Sequence, residues 1–178
     1  VGGISITNAS ASWNDQQAKQ QIEIKNLELT SGAIGTDKPV EFELSTGFSS
    51  SKPDIKGTVN LNTEVVFNQS AKILTLENTT FNSQLTGSGL PGNRLNAEIT
   101  NNKTVFNQNK QTLNVQGLVL AAAGAKFHAD IQATGLDKTP RYQVNLASDK
   151  FSAKEVAQQL ALKLPETADK NALTSVQL

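Results

Sequence analysis

The sequence predicts a mostly β protein, in which long antiparallel amphipathic strands form a curved, groove-like sheet (a half-pipe) with one short helix near the C-terminus. Three observations predict it. Apolar and polar residues alternate with period two over most of the chain. Clusters of Gly, Pro, Asn, Asp and Ser separate the alternating runs. One strand–turn–strand unit recurs three times, which builds a sheet by adding hairpins side by side.

The repeat runs from Trp13 through Ile22, Ile24, Asn26, Leu27 and Leu29, then from Phe67 through Leu74, Leu76, Asn78, Thr79 and Phe81. Its third copy runs from Phe106 through Leu113, Val115, Gly117, Leu118 and Leu120. In each copy an aromatic residue is followed by Asn (Asn14, Asn68, Asn107), a polar turn carrying a Lys, and an alternating strand. That strand switches its apolar phase at Asn26, Asn78 or Gly117. An extra residue at a bulge moves the next side chain to the opposite face and kinks the strand. Bends at one place in every repeat would curve the whole sheet one way.

Between and beyond the repeats the alternation continues. Val40, Phe42, Leu44 and Phe48 share a face against Glu41, Glu43 and Ser45. The longest series is Ile55, Gly57, Val59, Leu61, Thr63, Val65 and Phe67, opposed by Lys56, Thr58, Asn60, Asn62 and Glu64. Leu95, Ala97 and Ile99 follow, then Phe127, Ala129, Ile131 and Ala133, then Tyr142, Val144 and Leu146 after Pro140. Turns are expected at Ser31-Gly32, Lys52 to Asp54, Gly87 to Asn93, Asn101-Asn102 and Gly135 to Pro140. Ala121 to Gly124 has no assigned place. A helix is expected from Ser152 to Leu164, with Ser152 as N-cap, Glu155 three residues on, and a staple between Phe151 and Val156. Ala153, Val156, Ala157, Leu160 and Leu164 form its stripe and Pro165 stops it. Asp169 to Leu173 reads as a further short turn of helix. The division is thus a sheet over 1–150 and a capping helix with the start of another strand over 151–178. Val1 opens the chain already in strand-like sequence, so it reads as a piece of a longer protein.

Composition narrows the functions. Lys plus Arg equals Asp plus Glu at 16 each, and no basic cluster is present, so there is no footprint for nucleic acid. The 178 residues contain no Cys, which removes disulfides and thiolate chemistry. His128 is the single histidine, on the polar face of its strand and with no identifiable nucleophile beside it. Glu41 and Glu43 are the one pair of same-face carboxylates, as expected of a solvated face. Gly87-Ser88-Gly89-Leu90-Pro91-Gly92 has the glycine spacing of a dinucleotide loop, but Pro91 interrupts it and a strand follows where a helix is required. Asn8, Asn68, Asn78 and Asn102 head glycosylation-type triplets of the kind this composition produces by chance. No cofactor, metal site or catalytic residue is assigned.

An area argument remains. Roughly eight strands make a sheet about 35 Å wide and about 33 Å long, so one face is on the order of 1,000 Å². A helix of about 12 residues hides roughly a fifth of it, whereas monomers seldom expose apolar patches beyond a few hundred Å². Three coverings are open: the sheet folded on itself, a second copy, or an apolar ligand. Gly57, Thr63, Ala97, Ala129 and Ala133 are small or polar for a tight sandwich core and suit a lined trough. The lining residues expected are Phe42, Leu44, Val59, Leu61, Val65, Phe67, Ile99, Phe127, Ile131, Val144 and Leu146.

Several stretches resemble the periplasmic portion of AsmA proteins: Trp13 to Ala18, Asn26 to Gly35, Leu85 to Gly92, and Gly135-Leu136 with Pro140-Arg141-Tyr142. Phe151 to Glu155 with Leu160, then Leu164 to Leu173, resembles that family's F-S-P-R helix and following turn. Ala153 stands where the family often has Pro, and Lys154 where it has Arg. The resemblance covers nearly the whole chain in order. It implies a segment of a protein anchored in the inner membrane of Gram-negative bacteria and projecting into the periplasm. It further implies a non-enzymatic lipid-transfer groove tied to phospholipid transport and outer-membrane assembly, with phospholipid as ligand. The alternative reading is a protein-interaction or assembly module, whose sheet edges and apolar face would receive an outer-membrane or envelope protein or neighbouring repeats.

Overall fold

The computed structural model describes residues 2–165, 168–169 and 171–178. Nine strands follow one another: β1 Ser5–Asp15, β2 Gln20–Ser31, β3 Val40–Ser51, β4 Asp54–Asn68, β5 Ile73–Thr86, β6 Arg94–Asn107, β7 Thr112–Ala122, β8 Ala125–Thr134 and β9 Arg141–Ser148. They form one antiparallel sheet in strict sequence order, an open, curved meander not closed into a barrel. Among the described residues one α-helix, α1 Ala153–Gln159, follows.

The expected phase switches are bulges. Asn26, Asn78 and Gly117 all take left-handed backbone, with φ of 52°, 51° and 62°. The register slips beside each of them, at Lys25/Glu28, Asn62/Glu64 and Val115/Leu118. Carboxylates from neighbouring strands hold several of these kinks. Gly117 N–H donates to Asp130 Oδ1 at 2.8 Å, and Asn78 Nδ2 donates to Glu64 Oε1 at 2.9 Å. Asn8, a further left-handed residue in β1, donates its N–H to Glu28 Oε1 at 2.8 Å.

The three bends do not lie on one line. Asn78 and Gly117 flank Asn102 of β6 and kink β5, β6 and β7 together. Asn26 instead lies opposite Thr46, which pairs with Val59, four residues along β4 from Thr63 at the other kink. The reason is directional: the first hairpin turns at one end of the sheet and the other two turn at the opposite end. Asn101-Asn102, expected as a turn, lies inside β6. There the strand changes phase to match its neighbours, with Asn101 on one face and Lys103, paired to Glu77 and Gln116, on the other.

The repeated turns share one construction. Asp15, Asn68 and Asn107 each cap a four-residue loop by accepting a main-chain N–H: from Ala18 at 2.9 Å, Ala71 at 2.6 Å and Lys110 at 2.9 Å. Each loop ends in a left-handed residue, Lys19, Lys72 or Gln111. In the first copy the cap is Asp15 rather than Asn14, because that hairpin is one rung longer between Trp13 and Ile22. Adjacent turns are linked as well: Lys72 O accepts from Gln108 N–H at 3.0 Å, and Gln111 O from Leu136 N–H at 3.2 Å. The unplaced Ala121 to Gly124 stretch is the end of β7 and a two-residue turn. Ala122 pairs with Ala125 across Ala123 (φ 50°) and Gly124 (φ 82°), the two left-handed residues that a type I′ hairpin requires.

The helix is shorter than its stripe. Ser152 Oγ accepts from Glu155 N–H at 3.2 Å, as its N-cap role demands. The last turn closes before Leu164 and well ahead of Pro165. Ala161 turns left-handed (φ 51°), its N–H bonds Gln158 O, and Leu162 N–H bonds Ala157 O, which is a Schellman closure. Among the described residues, Asp169 to Leu173 is irregular turn rather than helix. Lys170, like Glu166 and Thr167 of the preceding motif, lies outside those residues.

Among the described residues no second layer packs on the sheet. Val40, Ala125, Ala133 and Ala157 are the buried apolar residues among those described, and none of the larger side chains is fully enclosed. The accessible surface is 11783 Å², against about 8,400 Å² for a compact monomer of this mass.

Candidate apolar groove

Cross-strand partners share a face of a sheet, so the register alone assigns every strand residue to a side. One transverse row reads Ile6, Leu29, Leu44, Leu61, Phe81, Ile99, Leu120, Phe127 and Ser148, crossing all nine strands. A parallel row reads Val40, Val65, Leu76, Thr104, Val115, Ile131 and Val144. Phe67, Leu74, Phe106, Leu113, Ala133 and Tyr142 form another near the far turns. Phe42 with Leu146, and Val59, fall on intermediate rows of the same side.

All eleven residues expected to line a trough therefore stand on one face. None of them is buried: eight are half-buried by lateral neighbours, while Phe67, Val144 and Leu146 are exposed. Period-two counting alone does not join them to Leu29, Phe81, Leu120, Leu76 and Val115. Leu29, Phe81 and Leu120 follow a phase switch and Leu76 and Val115 precede one, and the bulge geometry brings both sets to the common side.

The apolar face is not uniform. At the β5–β7 kink a short polar island crosses it. Thr63 Oγ1 and Thr79 Oγ1 are 2.8 Å apart, Thr104 donates to Asn101 Oδ1 at 2.8 Å, and Asn101 Nδ2 donates to Gln116 O at 2.8 Å. Asn101 is buried, and the side chains of the island are paired among themselves or with main chain. Nearer the helix a band of small residues, Ser83, Ala97, Ala122 and Ala125, follows Val59 across the strands.

The helix flanks this end. The rings of Phe127 and Phe151 are 5.6 Å apart and tilted by 60°, which seats the start of α1 on the apolar side. Its last turn abuts the short turn Pro91–Asn93, where Gly92 leaves room for the carbonyl of Gln159. A cavity of about 820 Å³ lies between Gln159, Leu160 and the ends of β5 to β8, lined by Ser83, Ala97, the Ala121–Ala125 turn and the polar Arg94, Glu98 and Lys126.

The opposite face is charged and polar. Lys103 pairs with Glu77 at 2.7 Å and Lys25 with Glu23 at 2.6 Å. The Lys25 ammonium, by hydrogen bond and charge, holds the Glu23 carboxyl below its ordinary value, and the Ser88 hydroxyl and N–H do the same for Asp54. His128 Nε2 lies 3.0 Å from Asp149 Oδ1, and both side chains are open to solvent. Among the described residues no group of three or more His, Cys, Asp or Glu side chains is placed to hold a metal ion. Among the same residues no helix is long and apolar enough to cross a membrane. The Gly87–Gly92 stretch is a loop and a short 3₁₀ turn leading into β6.

No family model matches the chain, and neither a curated protein nor a solved structure matches it.

Proposed function

We propose that this chain is a non-enzymatic lipid-binding segment of an AsmA-like protein. It would form part of a periplasmic conduit that carries phospholipid and supports outer-membrane assembly. One observation carries the reading: an apolar face spans nine consecutive strands, and no second layer among the described residues covers it. An exposed apolar surface of this extent marks a ligand or interaction site. Acyl chains lie along the rows of Leu44, Leu61, Ile99 and Phe127 and of Val65, Ile131 and Val144, with Phe42, Val59, Phe67 and Leu146 completing the wall. Headgroups stay at the wet rim. The resemblance of the sequence to AsmA proteins supplies the compartment and the lipid class, and a membrane anchor belongs to sequence outside this segment.

Transfer of this kind requires no catalytic group. Moving a methylene from bilayer to groove exchanges one apolar contact for another, so the roughly 0.8 kcal/mol gained on burial appears on both sides and the step is near neutral. Directionality then comes from supply and demand at the two ends.

Leu61→Glu and Ile131→Glu place a carboxylate on the two main rows. Each is expected to abolish photo-crosslinking to phospholipid while leaving the circular dichroism of a β-sheet intact. Unchanged crosslinking in both folded variants overturns the groove assignment. Lipid extracted from the purified chain and identified by mass spectrometry provides an independent reading.

A further inference from the structure

We propose that the polar island on the apolar face is a subsite for a hydroxyl group carried along an acyl chain. The subsite rests on the lipid-binding role of that face and narrows its ligand.

The register puts the island at the centre of the groove. The row that starts at Phe42 and ends at Leu146 is interrupted by Thr63, Thr79 and Asn101. Leu61, Phe81 and Ile99 wall the island on one side, and Val65, Leu76 and Val115 on the other. From Thr79, β5 runs on to Ile73 in one direction and to Thr86 in the other. Either rim is therefore about 20 Å away at about 3.3 Å per residue. A group that reaches the island belongs to the buried body of a ligand, not to a headgroup at the wet rim.

The island offers acceptors and no spare donor. A Thr hydroxyl has one proton and two lone pairs, and an Asn amide has two N–H bonds and one oxygen. Thr63 Oγ1 donates to Glu77 O at 3.4 Å, so the 2.8 Å contact between the two hydroxyls is a donation from Thr79 to Thr63. Thr104 gives its proton to Asn101 Oδ1 at 2.8 Å. Asn101 Nδ2 donates to Gln116 O at 2.8 Å and to Lys103 O at 3.5 Å. Every side-chain proton of the island is thus taken. Among the described residues no hydrogen bond is donated to the hydroxyl of Thr79 or of Thr104. Both side chains are half-buried and open onto the face. Asn101 beside them is 7% exposed and is locked by its bonds, which holds the acceptors in place.

This chemistry selects among ligands. Methylenes bring no proton, and an ester or oxo oxygen sets lone pairs against lone pairs. A hydroxyl brings the proton that the island lacks, and it keeps a hydrogen bond that an apolar wall would deny it. One neutral bond of this kind is worth roughly a two- to tenfold preference.

Three probes of one length test the subsite: stearate, a stearate with a mid-chain hydroxyl, and a stearate with an oxo group at the same carbon. Each is titrated against an apolar dye bound to the parent chain. The hydroxy acid is expected to bind about three to ten times more tightly than the other two. In the double variant Thr79→Val with Thr104→Val that ratio should fall to about one. Thr79→Ser with Thr104→Ser, which keeps both acceptors, should retain it, and circular dichroism checks that each variant is still a β-sheet. Should the double Val variant not fold, the three probes on the parent chain decide the matter alone. Equal affinities for the hydroxy and oxo acids, or a preference that survives in the folded double Val variant, overturn the subsite and leave the groove standing. Failure of all three probes to displace the dye sinks the lipid reading itself, and the subsite with it.

Discussion

At the residue scale, a single left-handed position per kink decides which way the rest of a strand faces. Asn78 and Gly117 do this with different chemistry. Asn tolerates left-handed backbone and here adds a side-chain bond to Glu64, while Gly has no Cβ to place. A Cβ at Gly117 would sit 2.3 Å from Asn102 Nδ2. Gly117→Ala is therefore expected to cost about 1–3 kcal/mol in denaturant unfolding, the sum of a left-handed alanine and the clash. Asn78→Gly keeps the backbone and loses one exposed hydrogen bond, so it should cost about 1 kcal/mol or less. Equal costs for the two would refute this account of the kinks.

At the element scale, strands were readable and their terminations less so. Alternation located the apolar series on β3, β4, β6, β8 and β9, and the register sets its eleven residues on one common face, because a period of two survives any twist. Asn101-Asn102 misled because Asn is both a turn former and a bulge former, and only pairing on both sides of β6 distinguishes them. The helix end was illegible for a related reason. Its Schellman position is Ala161, not the Gly that would announce it, while the apolar stripe ran on to Leu164. Ala123 is the same kind of exception, an alanine in a left-handed turn position. Ala123→Asn should then raise stability by roughly 0.5–1 kcal/mol, read as an increase in the thermal midpoint. A fall would mean that the β7–β8 turn is not type I′.

At the scale of the whole molecule, the sheet is a ribbon whose stability comes from ladders and lateral contacts within one layer. A compact chain of this length has a radius of gyration of about 16 Å. Small-angle scattering from the monomer should give a clearly larger value, and the native state should enhance the fluorescence of an apolar dye that added phospholipid displaces. A radius near the compact value would mean that the sheet closes on itself in solution, which would remove the groove. Because each strand bonds only to its neighbours in the sequence, partners arrive in the order in which the chain is threaded. A ribbon of this kind can be laid down from its N-terminus, every new strand zipping onto a finished one. The growing edge then stays one strand wide however long the protein becomes.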